Sequence, residues 1–210
     1  MKSGIQADRT AQMPETRAWL VAGLGNPGDA YRDTRHNAGF KVVEELSRRF
    51  EIPFDKNKFQ TRFGRGSIEG IEVVLAKPLA FMNNSGPPVR RLADFFKISN
   101  SGLLVIHDDV DLSFGRLKIK EKGGHGGHNG LKSLMSVFGG GDFARLRIGI
   151  GRPAERVDVT GHVLGQYSME ESDLLDRIVA RARDAVVTVL TKGLKDGMNR
   201  FNDKQFLVSH

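Results

Sequence analysis

Eight residues, "GGHGGHNG" (123–130), set five glycines, two histidines and an asparagine side by side. A flexible linker has no need of histidine, and a helix does not tolerate this density of glycine. Imidazole can serve as a general base near neutral pH or as a metal ligand, and an asparagine amide can donate to a developing negative charge. Two further stretches hold residues of the same kind. "TRHNAGF" (34–40) carries His36 into an apolar run, and "HDDVDL" (107–112) places Asp108 and Asp109 directly after one. A fourth, "GLGNPG" (23–28), has the formal G-x-G-x-x-G spacing of a dinucleotide loop.

Each stretch has a plainer reading. A metal site would use His125 and His128 with Asp108 or Asp109, but H-x-x-H in a glycine loop lacks the rigid helical i, i+4 spacing of zinc-binding pairs. The dinucleotide motif lacks its context. A polar loop continues to about Asn37, and Glu44 and Glu45, at the distance where a ribose-binding acid is expected, fall in a helix. A tight strand-to-loop turn accounts for those glycines and leaves Asn26 unexplained. His36 taken alone is equally a cap or a surface residue. The acidic pair is either a solvated turn or a ligand-facing group at the carboxyl end of a strand. The glycines of 123–130 would let backbone approach a ligand and would feed amides into a helix starting near His128, which favours a polar or anionic substrate.

The elements that must carry these residues follow from periodicity. "WLVAGLG" (19–25) and "GLLVIHDD" (102–109) read as buried strands, and 61–79 as a hairpin turning at Glu69-Gly70. "GRLKIKEKG" (115–123) alternates, with Leu117 and Ile119 on one side and Lys118, Lys120 and Lys122 on the other. "ARLRIGIG" (144–151) sets Arg145 and Arg147 opposite Leu146 and Ile148. Helices are expected over 39–50, 83–98, 128–139, 169–192 and 194–202, the fourth opened by Ser168 and Glu171 at capping-box spacing. Interleaved strands and helices without internal repeats predict an α/β fold: a single domain with a twisted mixed β-sheet flanked by helices.

Composition narrows the class. The chain has 210 residues and no cysteine, which excludes disulfides, thiolate metal sites and a cysteine nucleophile. No G-x-S-x-G elbow supports a serine nucleophile. No apolar stretch is long enough to span a membrane, and the start has no secretory h-region, so a cytoplasmic protein is expected. Residues 1–17 read as a flexible extension and 18–210 as the folded domain. A net charge of +7 and a pI near 9.8 suit a polyanionic partner, provided the charges cluster.

Six motifs, "GLGNPG", "TRHNAGF", "FMNNSG" (81–86), "HDDVDL", "GGHGGHNGL" and "RLRIGIG", occur in an order and spacing that resembles the bacterial-type peptidyl-tRNA hydrolases, from about Trp19 to Asn202. Departures are small: Ala80 stands where threonine is common and Arg152 where histidine is frequent. The resemblance implies an ester hydrolase that frees tRNA for reuse by cleaving the bond between a peptide and the terminal ribose. It implies His36 as catalytic base, Asp108 as its partner and Asn26 as a further catalytic group. Tyr31, Phe81, Asn83, His128 and Asn129 would bind substrate, and Lys120 and Arg147 would hold the 5′-phosphate of the tRNA. No metal or cofactor is expected, nor an obligatory protein partner, so the chain is expected to be a monomer that engages the acceptor stem and 3′ end. Activated-ester chemistry is consistent with this: it needs a base for water, donors for an oxyanion and positioning.

Overall fold

The computed structural model describes residues 18–153 and 158–202. The expected 1–17 extension lies outside the described residues. In chain order the elements are β1 (Trp19–Gly23), α1 (Ala38–Arg49), β2 (Lys56–Lys58), β3 (Thr61–Ile68), β4 (Ile71–Pro78), α2 (Gly86–Phe96), β5 (Leu103–Asp109), β6 (Leu117–Lys120), α3 (Asn129–Phe138), β7 (Ala144–Gly149), α4 (Val159–Leu164), α5 (Met169–Lys192) and α6 (Leu194–Phe201). The seven strands form one sheet in the order β2-β3-β4-β1-β5-β7-β6. The centre, β4-β1-β5-β7, is parallel, and each edge is antiparallel. This is the mixed sheet between helices that the sequence predicts.

Strand alternation divides the core into two layers. Val21, Leu104, Ile106, Leu146 and Ile148 pack on the side of α1, α5 and α6. Leu20, Ala22, Leu103 and Val105 face α2 and α3. Close approach of α1 to the sheet explains two glycines. A Cβ on Gly39 would lie 2.3 Å from the Ile106 carbonyl oxygen, and one on Gly23 would lie 2.3 Å from the Gly39 carbonyl oxygen. The glycines of "GLGNPG" therefore seat a helix that starts only at Ala38, and not inside the motif as a dinucleotide loop requires.

The remaining elements match the sequence pattern with local differences. Ser168 and Glu171 close a capping box on α5, and Glu69-Gly70 turn the β3–β4 hairpin. Pro87 and Pro88 stand in the first turn of α2, where a missing N–H leaves no bond unmade. Two elements went unread: the three-residue polar strand β2, and α4, six residues with no buried member. The alternating basic strands need one correction. Lys118, Lys120, Arg145 and Arg147 do share a sheet face, but Arg145 is 1% exposed. Its guanidinium donates to the carbonyls of Gly124 and Gly141, at 2.9 Å each, and stacks on Phe143. It anchors the base of the glycine loop from below and offers nothing to solvent. Lys122 lies beyond the end of β6. Among the described residues no helix is long and apolar enough to cross a membrane.

Candidate active site

The sheet order reverses beside β1, where the chain leaves toward β4 on one side and returns at β5 on the other. Ligands in such sheets bind outside the carboxyl ends of the strands at this switch point. A cleft of about 790 Å³ opens there. Its lining includes Asn26, Tyr31, His36, Phe81, Asn83, Asp108, His128 and Asn129, so five of the six motifs, spread over more than a hundred residues of chain, converge on one cavity, while no residue of "RLRIGIG" lines it. Lys120 and Arg147 do not line it and lie on β6 and β7 at the sheet's edge.

Asp108 sits at the centre of the polar groups. Alternation along β5 turns it toward the α1 layer, where the short 3-10 turn Arg35–Asn37 presents His36. His36 Nδ1 lies 2.9 Å from both Asp108 carboxylate oxygens, and both residues are buried. His128 approaches the same carboxylate from the α3 side, with Nε2 3.1 Å from Oδ1. Burial alone would raise the Asp108 carboxyl. The two imidazoles outweigh it and hold the group far below the ordinary carboxylate range, so Asp108 is an anion.

The network also assigns the protons. His128 is the N-cap of α3, and its Nδ1 lies 3.1 Å from the Gly130 amide nitrogen and 3.3 Å from that of Leu131. Backbone amides only donate, so His128 Nδ1 accepts and the ring's proton is on Nε2, directed at Asp108. An anionic carboxylate only accepts, so His36 carries its proton on Nδ1. His36 Nε2 is left as a lone pair in the cleft, without a partner among the described residues. His128, expected as a substrate contact, borders the cleft and in addition links a helix start to the carboxylate.

Other groups set the shape of the cavity. Asn26 is buried, and its Oδ1 accepts from the Met82 amide at 2.8 Å, which aims its side-chain amine away from that contact. Asn37 exchanges two hydrogen bonds with the Asn26 backbone. Tyr31 and Phe81 meet edge to face, with ring centroids 6.2 Å apart. Asn83 and Asn129 are exposed at the cleft wall. His107, on the opposite face of β5, is fully buried with its ring 4.8 Å from that of His128. Burial and the neighbouring His128 depress its basicity, so it packs there as a neutral ring. Val159, Thr160, Val163 and Leu164 of α4 close one side of the cleft. Arg35 fastens α4 and α5 to the His36 turn, pairing with Glu171 at 2.6 Å and donating to the His162 carbonyl. Sequence reading missed Asn37, His107 and α4. Two of these stand beside recognised residues in "TRHNAGF" and "HDDVDL"; α4 has too short a pattern to mark it.

Among the described residues, the His/Asp group with atoms close enough to share a cation is His36, Asp108 and His128, all within 4.8 Å. His125 and Asp109, the alternative ligands considered from sequence, are not in it. His125 Nδ1 accepts from the Gly127 amide at 3.0 Å. Asp109 points to the other face of β5, where it pairs with Arg147.

The comparisons with known proteins agree with this geometry. The family description "Peptidyl-tRNA hydrolase" matches residues 20–208. A peptidyl-tRNA hydrolase of Clostridium novyi (strain NT) is 41% identical over 184 residues, which is 88% of this chain and 97% of the relative. One from Synechococcus sp. (strain JA-3-3Ab) is 44% identical over 199 residues, 94% of this chain and 88% of the relative. The crystal structure of peptidyl-tRNA hydrolase from Acinetobacter baumannii superposes with a TM-score of 0.84 at 41% identity, covering 90% of this chain and 97% of that one. With the fold, the ordered motifs and near full-length similarity in agreement, the chain belongs to the peptidyl-tRNA hydrolase family and is an ester hydrolase.

Proposed function

We propose that the chain hydrolyses the ester between a peptide, or an N-blocked amino acid, and the terminal ribose of tRNA, using water activated by His36 without a metal. The observation that carries this reading is the buried His36–Asp108 pair, whose hydrogen bonds leave Nε2 as the free lone pair. A water held by Nε2 gives up its proton as its oxygen attacks the ester carbonyl. Asp108 fixes the tautomer and stabilises the imidazolium that forms, as the carboxylate does in hydrolytic triads. The carbonyl oxygen becomes an oxyanion that needs donors in place. The side-chain amine of Asn26 is the buried candidate, and Asn83 and Asn129 stand on the same wall. On collapse of the intermediate the ribose oxygen leaves and takes a proton, and His36 is the group placed to supply it. Tyr31 and Phe81 offer an aromatic surface to the peptide.

Metal independence has a specific argument. To give a cation the Nε2 lone pair, His128 would have to carry its proton on Nδ1, where two backbone N–H groups already point. Binding a metal in that group would therefore break the N-terminal cap of α3. Lys120 and Arg147 are the proposed contacts for the 5′-phosphate, with the acceptor stem lying across β6 and β7 and the 3′ end in the cleft. The chain is proposed to work as a cytoplasmic monomer.

The test is turnover of N-acetyl-aminoacyl-tRNA by the wild type and by His36→Ala, after removal of metal with EDTA and return of the magnesium that folds the tRNA. The reading expects full wild-type activity and loss of turnover in the variant. Activity of His36→Ala within tenfold of wild type, or a requirement for stoichiometric zinc, overturns it.

A further inference from the structure

Asp109, beside the catalytic carboxylate, lies near the site proposed to receive a phosphate, where a second anion should only weaken binding. Its geometry explains its presence. Alternation turns it to the opposite face of β5 from Asp108, toward Arg147 on β7. One oxygen, Oδ2, accepts from Arg147 Nε, and the other, Oδ1, accepts from the Asp111 amide at 2.9 Å. The Asp109 carbonyl also accepts from the Ile150 amide at 3.0 Å. The carboxylate is therefore held at both oxygens, and its side chain is only 12% exposed. Arg147 is gripped through Nε alone. Its two terminal amines, the bidentate fork of the guanidinium, have no partner among the described residues. In the β6–β7 register Arg147 stands opposite Lys118, with Lys120 two residues along on the same face.

We infer that Asp109 is a positioning residue for the phosphate contact: it fixes the Arg147 guanidinium by its inner nitrogen so that the outer fork faces the 5′-phosphate of the substrate. This rests on the reading of Arg147 as a phosphate ligand. The gain is pre-organisation, since an arginine side chain without such a partner loses conformational freedom when it binds. Asparagine cannot replace Asp109. Its single oxygen can serve either the Asp111 amide or Arg147 Nε, and its amine would face the remaining donor.

Charge and positioning predict opposite signs, and this makes the test sharp. Were Asp109 only a nearby negative charge, Asp109→Asn would strengthen the anion site and lower KM. As a positioning residue, its loss raises KM for a 5′-phosphorylated N-acetyl-aminoacyl-tRNA by about tenfold, the scale of one charge-assisted hydrogen bond. The value of kcat stays near wild type, and KM for the same substrate stripped of its 5′-phosphate does not change. KM does not depend on how much of the variant is folded. Asp109→Ser, whose hydroxyl can keep the Asp111 contact but cannot reach Arg147, should show the same ratio and serves if the asparagine variant is lost. Arg147→Ala is measured in parallel. If it raises KM only for the phosphorylated substrate while both Asp109 variants leave KM unchanged or lower it, the inference is overturned and the Arg147 reading stands. If Arg147→Ala does not distinguish the two substrates, the Arg147 reading fails and this inference fails with it.

Discussion

Two polar regions meet at the end of β5 and are built on different principles. Around Asp108 the groups are buried, paired and directional: two backbone amides donate to His128, His128 donates to the carboxylate, and His36 donates from the other side. On the β6–β7 edge, Lys120 is exposed and Lys118 is half-buried. That edge carries positive charge, with Arg147 held through Nε by Asp109. A buried network depends on each bond being made, because an orphaned donor or acceptor there costs about 1–3 kcal/mol. Exposed charges act through a field that salt screens. Substitutions at the centre should therefore act on the rate constant for chemistry, and substitutions at the edge on KM and its salt dependence.

The largest effect is expected for His36→Ala. Removing the base should cost roughly 10²–10⁴-fold in kcat while tRNA binding remains close to wild type, with stability lowered by about 1–3 kcal/mol for the carboxylate oxygen left without its donor. Single-turnover kinetics with a filter-binding measurement separates the two.

Asp108→Asn comes next, at about 10²-fold in kcat, because an amide at this position must turn its amine toward one of two imidazole N–H groups and disturb the His36 tautomer. The same substitution tests stability against pH. The folded-state pKa of Asp108 is depressed, so its ionised form stabilises the fold above the ordinary carboxylate range, and that contribution is lost as pH falls. The difference in melting temperature between wild type and Asp108→Asn should be greatest near neutral pH and shrink as pH falls below about 4. A difference that grows on acidification contradicts the assigned charge.

His128 sharpens the comparison because it belongs to both a helix cap and the carboxylate. Asparagine at 128 can still cap α3 but does not reach Asp108. It should keep stability and lower kcat by about tenfold, the scale of one hydrogen bond to a charged group. His128→Ala loses the cap as well and should be destabilised by a further ~1 kcal/mol in denaturant unfolding. Equal stability of the two variants would remove the capping role.

The smallest effect belongs to the edge. Lys120→Ala should raise KM only a few-fold, as expected for an exposed charge, and reduce the slope of log affinity against log salt by roughly 0.7–0.9. Unchanged KM and slope would mean that Lys120 only solvates an edge strand.

The parts legible in the sequence are those governed by local periodicity. Alternation in "GLLVIHDD" placed Asp108 and Asp109 on opposite faces, and the capping box marked the start of α5. Residues that meet through topology were not legible from spacing. His36 and Asp108 stand 72 residues apart, and only the resemblance of the ordered motifs joined them before the structure did. Arg145 shows the limit of alternation. The pattern identifies a face but not what covers it, and here the glycine loop and Phe143 lie over a residue that looked solvated. The capping role of His128 was not legible, because its hydrogen bonds are to backbone amides, which no side-chain pattern announces. Strand β2, "KNK", is too short and polar to carry a period, and α4 buries none of its six residues.

Catalysis by His36 requires that the network leave its lone pair on Nε2. Long-range ¹H–¹⁵N NMR of the imidazole rings tests it directly, since the chain has only six histidines and His36 and His128 can each be assigned by substitution. With both rings neutral, the account predicts opposite tautomers: the proton of His36 on Nδ1 and that of His128 on Nε2. A His36 ring protonated on Nε2 in the free enzyme would leave no base facing the cleft and would contradict the account.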